Sequence, residues 1–296
     1  MKPQERSGQR NAAGKESSPL GPVGVFDSGI GGLTVVAALR HLLPNEDVFY
    51  LGDTARVPYG GKSRATIERY SVEISNLLLA EHAKIIVVAC STSSALALSC
   101  LRELLPVPVI GVVEAGAVAA VRASHDKRIG VIGTKATVSS GAYKQAIQEI
   151  CTKAYVVSRA CPLLVPLVEE GMFEDEITHL ALKRYLEPLL RSNIDTLVLG
   201  CTHYPLLYRA IQQAVGPRIV VVNSGRNCAL AVKKVLTSSG MAQELHSGEL
   251  RVALTDSPEG FLRVAEQTLG LKIKAIEMLK SAGVAANVNR SRQHRN

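Results

Sequence analysis

Two cysteines stand where apolar runs end. Leu197-Val198-Leu199-Gly200 leads into Cys201-Thr202-His203, and Ile85-Ile86-Val87-Val88-Ala89 leads into Cys90-Ser91-Thr92. Each run reads as a buried strand, so each thiol sits at a strand exit with hydroxyl residues close behind it and, at Cys201, a histidine two positions on. Two acid/base groups flanking one carbon are what a cofactor-free racemisation requires: one takes a proton from one face and the other returns a proton to the opposite face. Both must come within about 3–3.5 Å of the reacting carbon, which places the sulfurs on the order of 7 Å apart around a bound ligand. Cysteine suits the exchange because an unperturbed pKa of about 8.5 keeps thiol and thiolate both accessible near neutrality, and a helix N-terminus favours the thiolate further. Cys100, Cys151, Cys161 and Cys228 lack such neighbours and read as structural; the six cysteines form no CxxC pair and no zinc spacing.

The elements that must position the thiols follow a strand-and-helix alternation. Val23–Phe26 reads as a strand, Asp27-Ser28-Gly29-Ile30-Gly31-Gly32 as a glycine-rich turn, and Leu33–Leu42 as a helix. Such a turn brings backbone N–H groups close to an anion. Thr34 stands where a dinucleotide fingerprint would want a third small residue, so a small carboxylate is the expected guest. A second strand, Asp47–Leu51, enters the long loop Gly52–Ser63. Its Gly61-Lys62-Ser63 imitates the end of a P-loop, but Arg56 occupies the position of the required glycine and excludes ATP binding there. A helix capped by Ser63 runs to about Glu81, the Cys90 strand follows, a helix ends near Leu104, and Val109–Val112 is a fourth strand.

From Arg128 the pattern begins again. Gly130-Val131 stands where Gly24-Val25 stood, and the distances agree: 65 residues from Val25 to Cys90, 70 from Val131 to Cys201. An internal duplication accounts for both the paired turns and the paired cysteines. Helices are expected over 139–150 and 173–190 and after Cys201, then strands over 218–222 and 251–254. The expectation is an α/β protein of two pseudo-symmetric, doubly wound parallel-sheet domains, residues 21–114 with 223–270 and residues 115–222, with the active site in the cleft between them. Residues 1–20 are expected to be a disordered tail, and 271–296 a helix end and basic tail. Ligands of open parallel sheets bind beyond the carboxyl ends of the strands, where Asp27, Asp53, Cys90, Thr134 and Cys201 all fall.

Composition excludes several other classes. The formal charge of +8 resides mainly in the ends: residues 1–20 carry +2 and residues 271–296 carry +5, leaving about +1 for the body. That pattern describes solvated tails and not a nucleic-acid-binding face. No run of eighteen apolar residues is present and Met1–Ser18 lacks the apolar core of a signal peptide, so a cytoplasmic location with reduced thiols is expected.

The motifs Phe26–Val35, Gly52–Gly60, Ala89-Cys90-Ser91-Thr92, Val165–Glu169 and Gly200–Leu206, in this order, resemble those of the glutamate racemase family within the aspartate/glutamate racemase superfamily. The resemblance covers nearly all of residues 23–225. It implies interconversion of L- and D-glutamate without cofactor or metal, supplying D-glutamate for peptidoglycan in a bacterial cytoplasm. By the same resemblance Cys90 takes the α-proton of D-glutamate and Cys201 that of L-glutamate, Asp27 assists Cys90, His203 assists Cys201, and Glu169 is a further acid beside the site. Substrate contacts are implied for Asp27, Ser28, Pro58, Tyr59, Gly60, Ser91, Thr92, Thr134, Thr137, Thr202 and His203. The expected assembly is a homodimer. A competing reading from another class is a binding protein whose tails engage a macromolecule such as gyrase, but residues 1–20 are short and carry little information.

One departure from the family pattern matters chemically: Ser91 follows the first cysteine where the family usually has Asn. Asn offers a donor and an acceptor on a longer arm, whereas Ser offers one hydroxyl. Substrate contact at this position is therefore expected to be altered without loss of the chemistry. Steady-state kinetics of Ser91→Asn should show a shifted KM, and an unchanged KM and kcat would contradict the expectation.

Overall fold

The computed structural model describes residues 21–245, 247–256 and 261–279. The expected N-terminal tail and the chain after 279 lie outside the described residues. Among the described residues ten strands occur, in chain order: β1 (Val23–Asp27), β2 (Val48–Gly52), β3 (Ile85–Val88), β4 (Val109–Gly111), β5 (Arg128–Gly133), β6 (Tyr155–Ala160), β7 (Thr196–Gly200), β8 (Val220–Asn223), β9 (Leu250–Leu254) and β10 (Ile276–Met278). They form a six-stranded sheet ordered β10-β9-β2-β1-β3-β4 and a four-stranded sheet ordered β6-β5-β7-β8. Every pairing is parallel. Strands β1 to β3 and β7 are buried at every residue, which explains why their sequences are continuous apolar runs and not alternating ones.

The duplication is visible in topology and register. β2-β1-β3-β4 and β6-β5-β7-β8 have the same order, with the first strand of each set inside the sheet and the second at its flank. In the first sheet Val25 pairs with Val87, three residues before Cys90; in the second Val131 pairs with Val198, three residues before Cys201. Even a bond beyond the strands recurs. The Asp53 N–H donates to the Asp27 carbonyl at 2.9 Å, and the Cys161 N–H donates to the Gly133 carbonyl at 2.9 Å. The two helices that follow the fourth strand of each set, Val112–Ala123 and Ser224–Ser238, pack on one another where the chain crosses between sheets.

Several helices form where the pattern placed them. Ser63 caps Arg64–Ala80 by accepting from the Thr66 N–H, as its position suggested. Two expected helices are interrupted. The one after Cys90 is Ser91–Leu96 followed by Leu98–Leu104, and the one over 139–150 is Lys135–Ser139 followed by Ala142–Ile150. The second break falls at Gly141, whose φ of 69° glycine adopts without a steric penalty. Two strands were not expected. β6 is an edge strand, mostly half-buried or exposed, so it lacks the apolar run that marks its neighbours. β10 stands within the expected helix end over 271–279: Ile276-Glu277-Met278 pairs in parallel with Val252-Ala253-Leu254 at the sheet edge, where the charge of Glu277 is tolerated.

The chain returns to the first sheet through the segment between Ser238 and β9, and a buried ion pair holds that segment in place. Lys84 Nζ lies 2.6 Å from Glu46 Oε2, with the two side chains only 5% and 2% exposed. Lys84 also donates to the Met241 carbonyl at 2.8 Å, and the Gln243 N–H donates to Glu46 Oε1 at 2.8 Å. Removing one partner leaves the other charge buried and uncompensated. Lys84→Met is therefore expected to lower unfolding stability by about 3–5 kcal/mol in urea titration, and an unchanged midpoint would contradict it.

Candidate active site

Beyond the carboxyl ends of both sheets lies a pocket of about 270 Å³. The first half contributes Ser28 after β1, the turn Val57-Pro58-Tyr59-Gly60-Gly61, and Cys90, Ser91 and Thr92 after β3. The second half contributes Thr134 and Lys135 after β5, then Pro162, Val165, Pro166 and Glu169, and finally Cys201 to Tyr204 after β7. Both candidate acid/base sulfurs thus face one cavity from opposite halves. They are buried, at 4% exposure for Cys90 and 5% for Cys201. All six cysteines are free.

Close backbone approach closes the seam between the halves. A Cβ added to Gly31 would lie 2.5 Å from both His203 Nδ1 and Thr202 Oγ1, and one added to Gly60 would lie 2.7 Å from Thr134 Cβ. Only glycine fits at these positions. Thr34 Oγ1 reinforces the first contact by donating to the Gly31 carbonyl at 2.8 Å and to the Thr202 carbonyl at 3.2 Å. The same turn was expected to offer its N–H groups to a carboxylate guest. Instead Asp27 Oδ2 accepts from the Gly32 N–H at 2.7 Å and the Gly29 N–H at 3.2 Å, so the chain's own carboxylate occupies those donors.

Asp27 is fully buried and stands behind the cavity wall. Burial pushes its carboxyl above the usual range, against the opposing charge of His203 and the N–H donors of the turn. Thr202 Oγ1 lies 3.5 Å from Asp27 Oδ1, joining the acid to the second half. The two thiols consequently have different surroundings. Cys90 Sγ approaches Ser28 Oγ at 3.8 Å, and burial, followed by the negative charge of Asp27, pushes its pKa up to about 12, so it rests as a thiol. Cys201 Sγ lies 3.8 Å from His203 Nδ1. On the far side of the ring, His203 Nε2 lies 3.3 Å from Glu169 Oε1, at ion-pair distance but outside hydrogen-bond alignment. Burial alone would lower the His203 pKa; its contacts with Cys201 and Glu169 and the negative charges of Cys201 and Asp27 outweigh it and raise the value to about 10. His203 is thus an imidazolium beside one sulfur.

Hydroxyl groups line the rest. Thr92 Oγ1 from the first half lies 3.0 Å from Thr134 Oγ1 and 3.4 Å from Thr137 Oγ1 of the second. Thr137 stands behind Thr134 and does not line the cavity. Tyr59 does line it, but its hydroxyl donates to Asp53 and is not directed at a guest. Asp53, fully buried, also accepts from Arg56 Nε at 2.6 Å and from Thr255 Oγ1 at 3.1 Å, which fixes the Val57–Gly61 wall. Sequence reasoning gave no site role to Val57, Gly61, Lys135, Pro162, Val165, Pro166 or Tyr204, which also line the cavity. Most of these adjoin residues it did choose, and adjacency was the available signal.

The His203 shift has a definite sign in stability. Its folded value of about 10 lies above the ordinary 6.5, so the folded state binds this proton more tightly than the unfolded chain. Its contribution is complete below about pH 6.5 and is lost as pH rises through about 10. The stability difference between the parent protein and His203→Asn should therefore shrink between those limits in denaturant titrations. A pH-independent difference would contradict the assignment.

With this geometry in hand, three comparisons agree. A family model for Asp/Glu/Hydantoin racemase matches residues 33–226. The glutamate racemase of Geobacter metallireducens is 46% identical over 256 residues, 86% of this chain and 95% of that one. Glutamate racemase isoform RacE1 from Bacillus anthracis superposes with a TM-score of 0.85 at 36% identity, covering 88% of this chain and 98% of that one. The enzyme from Francisella tularensis, in complex with D-glutamate, gives 0.82 at 36% identity, covering 88% and 97%. The chain belongs to the Asp/Glu/hydantoin racemase family, among its glutamate racemases, and is accordingly an isomerase.

Proposed function

We propose that the protein interconverts L- and D-glutamate by a two-cysteine 1,1-proton transfer that uses no cofactor. The observation that carries this reading is the matched placement of Cys90 and Cys201, each three residues beyond the register partner of an equivalent valine and both facing one cavity. In one direction a Cys90 thiolate removes the α-proton of D-glutamate and a Cys201 thiol delivers a proton to the opposite face; in the other direction the roles exchange. His203 supports Cys201 as the neighbouring acid/base group, and Glu169 holds the outer nitrogen of the ring. Asp27 acts through charge on both sides, raising the Cys90 pKa and supporting the His203 cation. A resting Cys90 thiol must lose its proton before it can act as the base, and the bound substrate's charge and the exclusion of water set the cost of that step.

Glutamate brings two carboxylates and an ammonium. Ser28, Thr92, Thr134 and Thr202 supply hydroxyl donors around the cavity, Ser91 adds a short one, and the Pro58-Tyr59-Gly60 turn supplies backbone and a ring face. Thr137 supports Thr134. The D-glutamate bound to the Francisella tularensis relative is consistent with this substrate. The two halves, 21–114 with 223–270 and 115–222, act as domains closing over it, in a homodimeric enzyme of a bacterial cytoplasm that supplies D-glutamate for peptidoglycan. Among the described residues no helix is long and apolar enough to cross a membrane.

Proton NMR in D2O, started separately from L- and D-glutamate and read together with optical rotation, tests the reading. Loss of the α-proton signal with inversion is expected from both enantiomers, and Cys90→Ala or Cys201→Ala should reduce inversion by at least about 10²–10⁴-fold. Exchange with aspartate but not glutamate would keep the mechanism and move the substrate. Silence with both acids would overturn the reading.

A further inference from the structure

The cavity's lining includes, besides its cysteines and tyrosines, two bases and one acid: Lys135, His203 and Glu169. Two of the three are committed to each other. His203 is held between Cys201 at 3.8 Å and Glu169 at 3.3 Å. Lys135 pairs with no carboxylate among the described residues and is exposed, while both sulfurs are buried. It therefore stands at the mouth, and its stem is well placed. Lys135 follows Thr134, whose hydroxyl accepts from the Thr137 N–H at 3.2 Å and meets Thr92 across the seam. Thr134 in turn abuts Gly60, where even a Cβ would not fit. Lys135 is thus anchored at the rim where the halves meet, next to the Tyr59–Gly61 turn.

A dicarboxylic amino acid carries one net negative charge and must give up water at both carboxylates to enter. Hydroxyl groups line the interior, but the lining offers a single cation not already engaged by a neighbouring acid. We propose that Lys135 is a specificity-determining residue that attracts the dicarboxylic substrate to the mouth and pairs with its side-chain carboxylate; this rests on the glutamate reading above. An ammonium on a flexible stem acts as a point charge and needs no fixed fork geometry. An exposed charge acts over roughly 8–10 Å at moderate ionic strength, so the effect belongs to substrate capture and is screened by salt. It makes no contact with the reacting carbon, so it should leave the proton-transfer step alone.

Steady-state racemisation of glutamate by the full-length parent protein, Lys135→Met, Lys135→Arg and Lys135→Glu, each at low and high salt, tests the proposal. Lys135→Met is expected to raise KM about tenfold with kcat within about twofold of the parent, and to lose most of the salt dependence of kcat/KM. Lys135→Arg should restore both, and Lys135→Glu should raise KM further. A purely structural role for Lys135 would move stability or kcat and would not respond to the sign of the charge. Parent-like KM and salt dependence in Lys135→Met, with an active parent, would overturn this proposal alone. A parent inactive with both enantiomers would overturn the glutamate reading and this proposal with it.

Discussion

Two sheets can share one cavity only where their carboxyl ends come close enough to exclude water yet leave room for a ligand. Here the approach is set by missing side chains. Gly31 lets the turn after β1 lie against Thr202 and His203, and Gly60 lets the loop after β2 lie against Thr134. Any Cβ at these points would sit within van der Waals overlap of a residue on the other half. The contacts also explain why the polar groups at the seam are satisfied locally. Asp27 takes the N–H groups of its own turn, Asp53 takes Tyr59, Arg56 and Thr255, and the three threonines meet one another.

The duplicated scaffold has kept its register and exchanged its side chains. By strand pairing Asp27 corresponds to Gly133, Ser28 to Thr134, and Asp53 to Cys161, yet each sulfur remains three residues past the same point. What surrounds the sulfurs differs. Cys90 is buried beside the Asp27 carboxylate, and both favour the thiol against the opposing pull of the Ser28 hydroxyl; Cys201 has an imidazolium at 3.8 Å, itself held by Glu169. A reaction that must run in both directions across a planar carbon does not need identical bases. It needs two that can each hold and release a proton, and the environments supply this by different means.

Much of this was legible because fully buried parallel strands write themselves as apolar runs. β1, β3 and β7 fixed the positions of Asp27, Cys90 and Cys201 before any coordinates, and the repeat of Gly-Val before each cysteine strand revealed the duplication. Two edge strands carry no such mark: β6 is half-buried or exposed along its length, and β10 is only Ile276-Glu277-Met278 with a charge at its centre, so neither was expected. The roles of Asp27 and Tyr59 were only half visible. Sequence gave their proximity to the site, but which hydrogen-bond partner each would choose depends on tertiary neighbours such as Thr202 and Asp53. Lys135 escaped for a similar reason, since a lysine after a helix cap is an ordinary surface residue until the opposite wall is known.

The central claim is geometric: two sulfurs on opposite faces of one carbon. A crystal structure of the protein with D-glutamate bound tests it most directly. The account predicts the Cys90 and Cys201 sulfurs on opposite sides of the α-carbon, each about 3–3.5 Å from it. Both sulfurs on one face, or one of them too far for direct proton transfer, would contradict it.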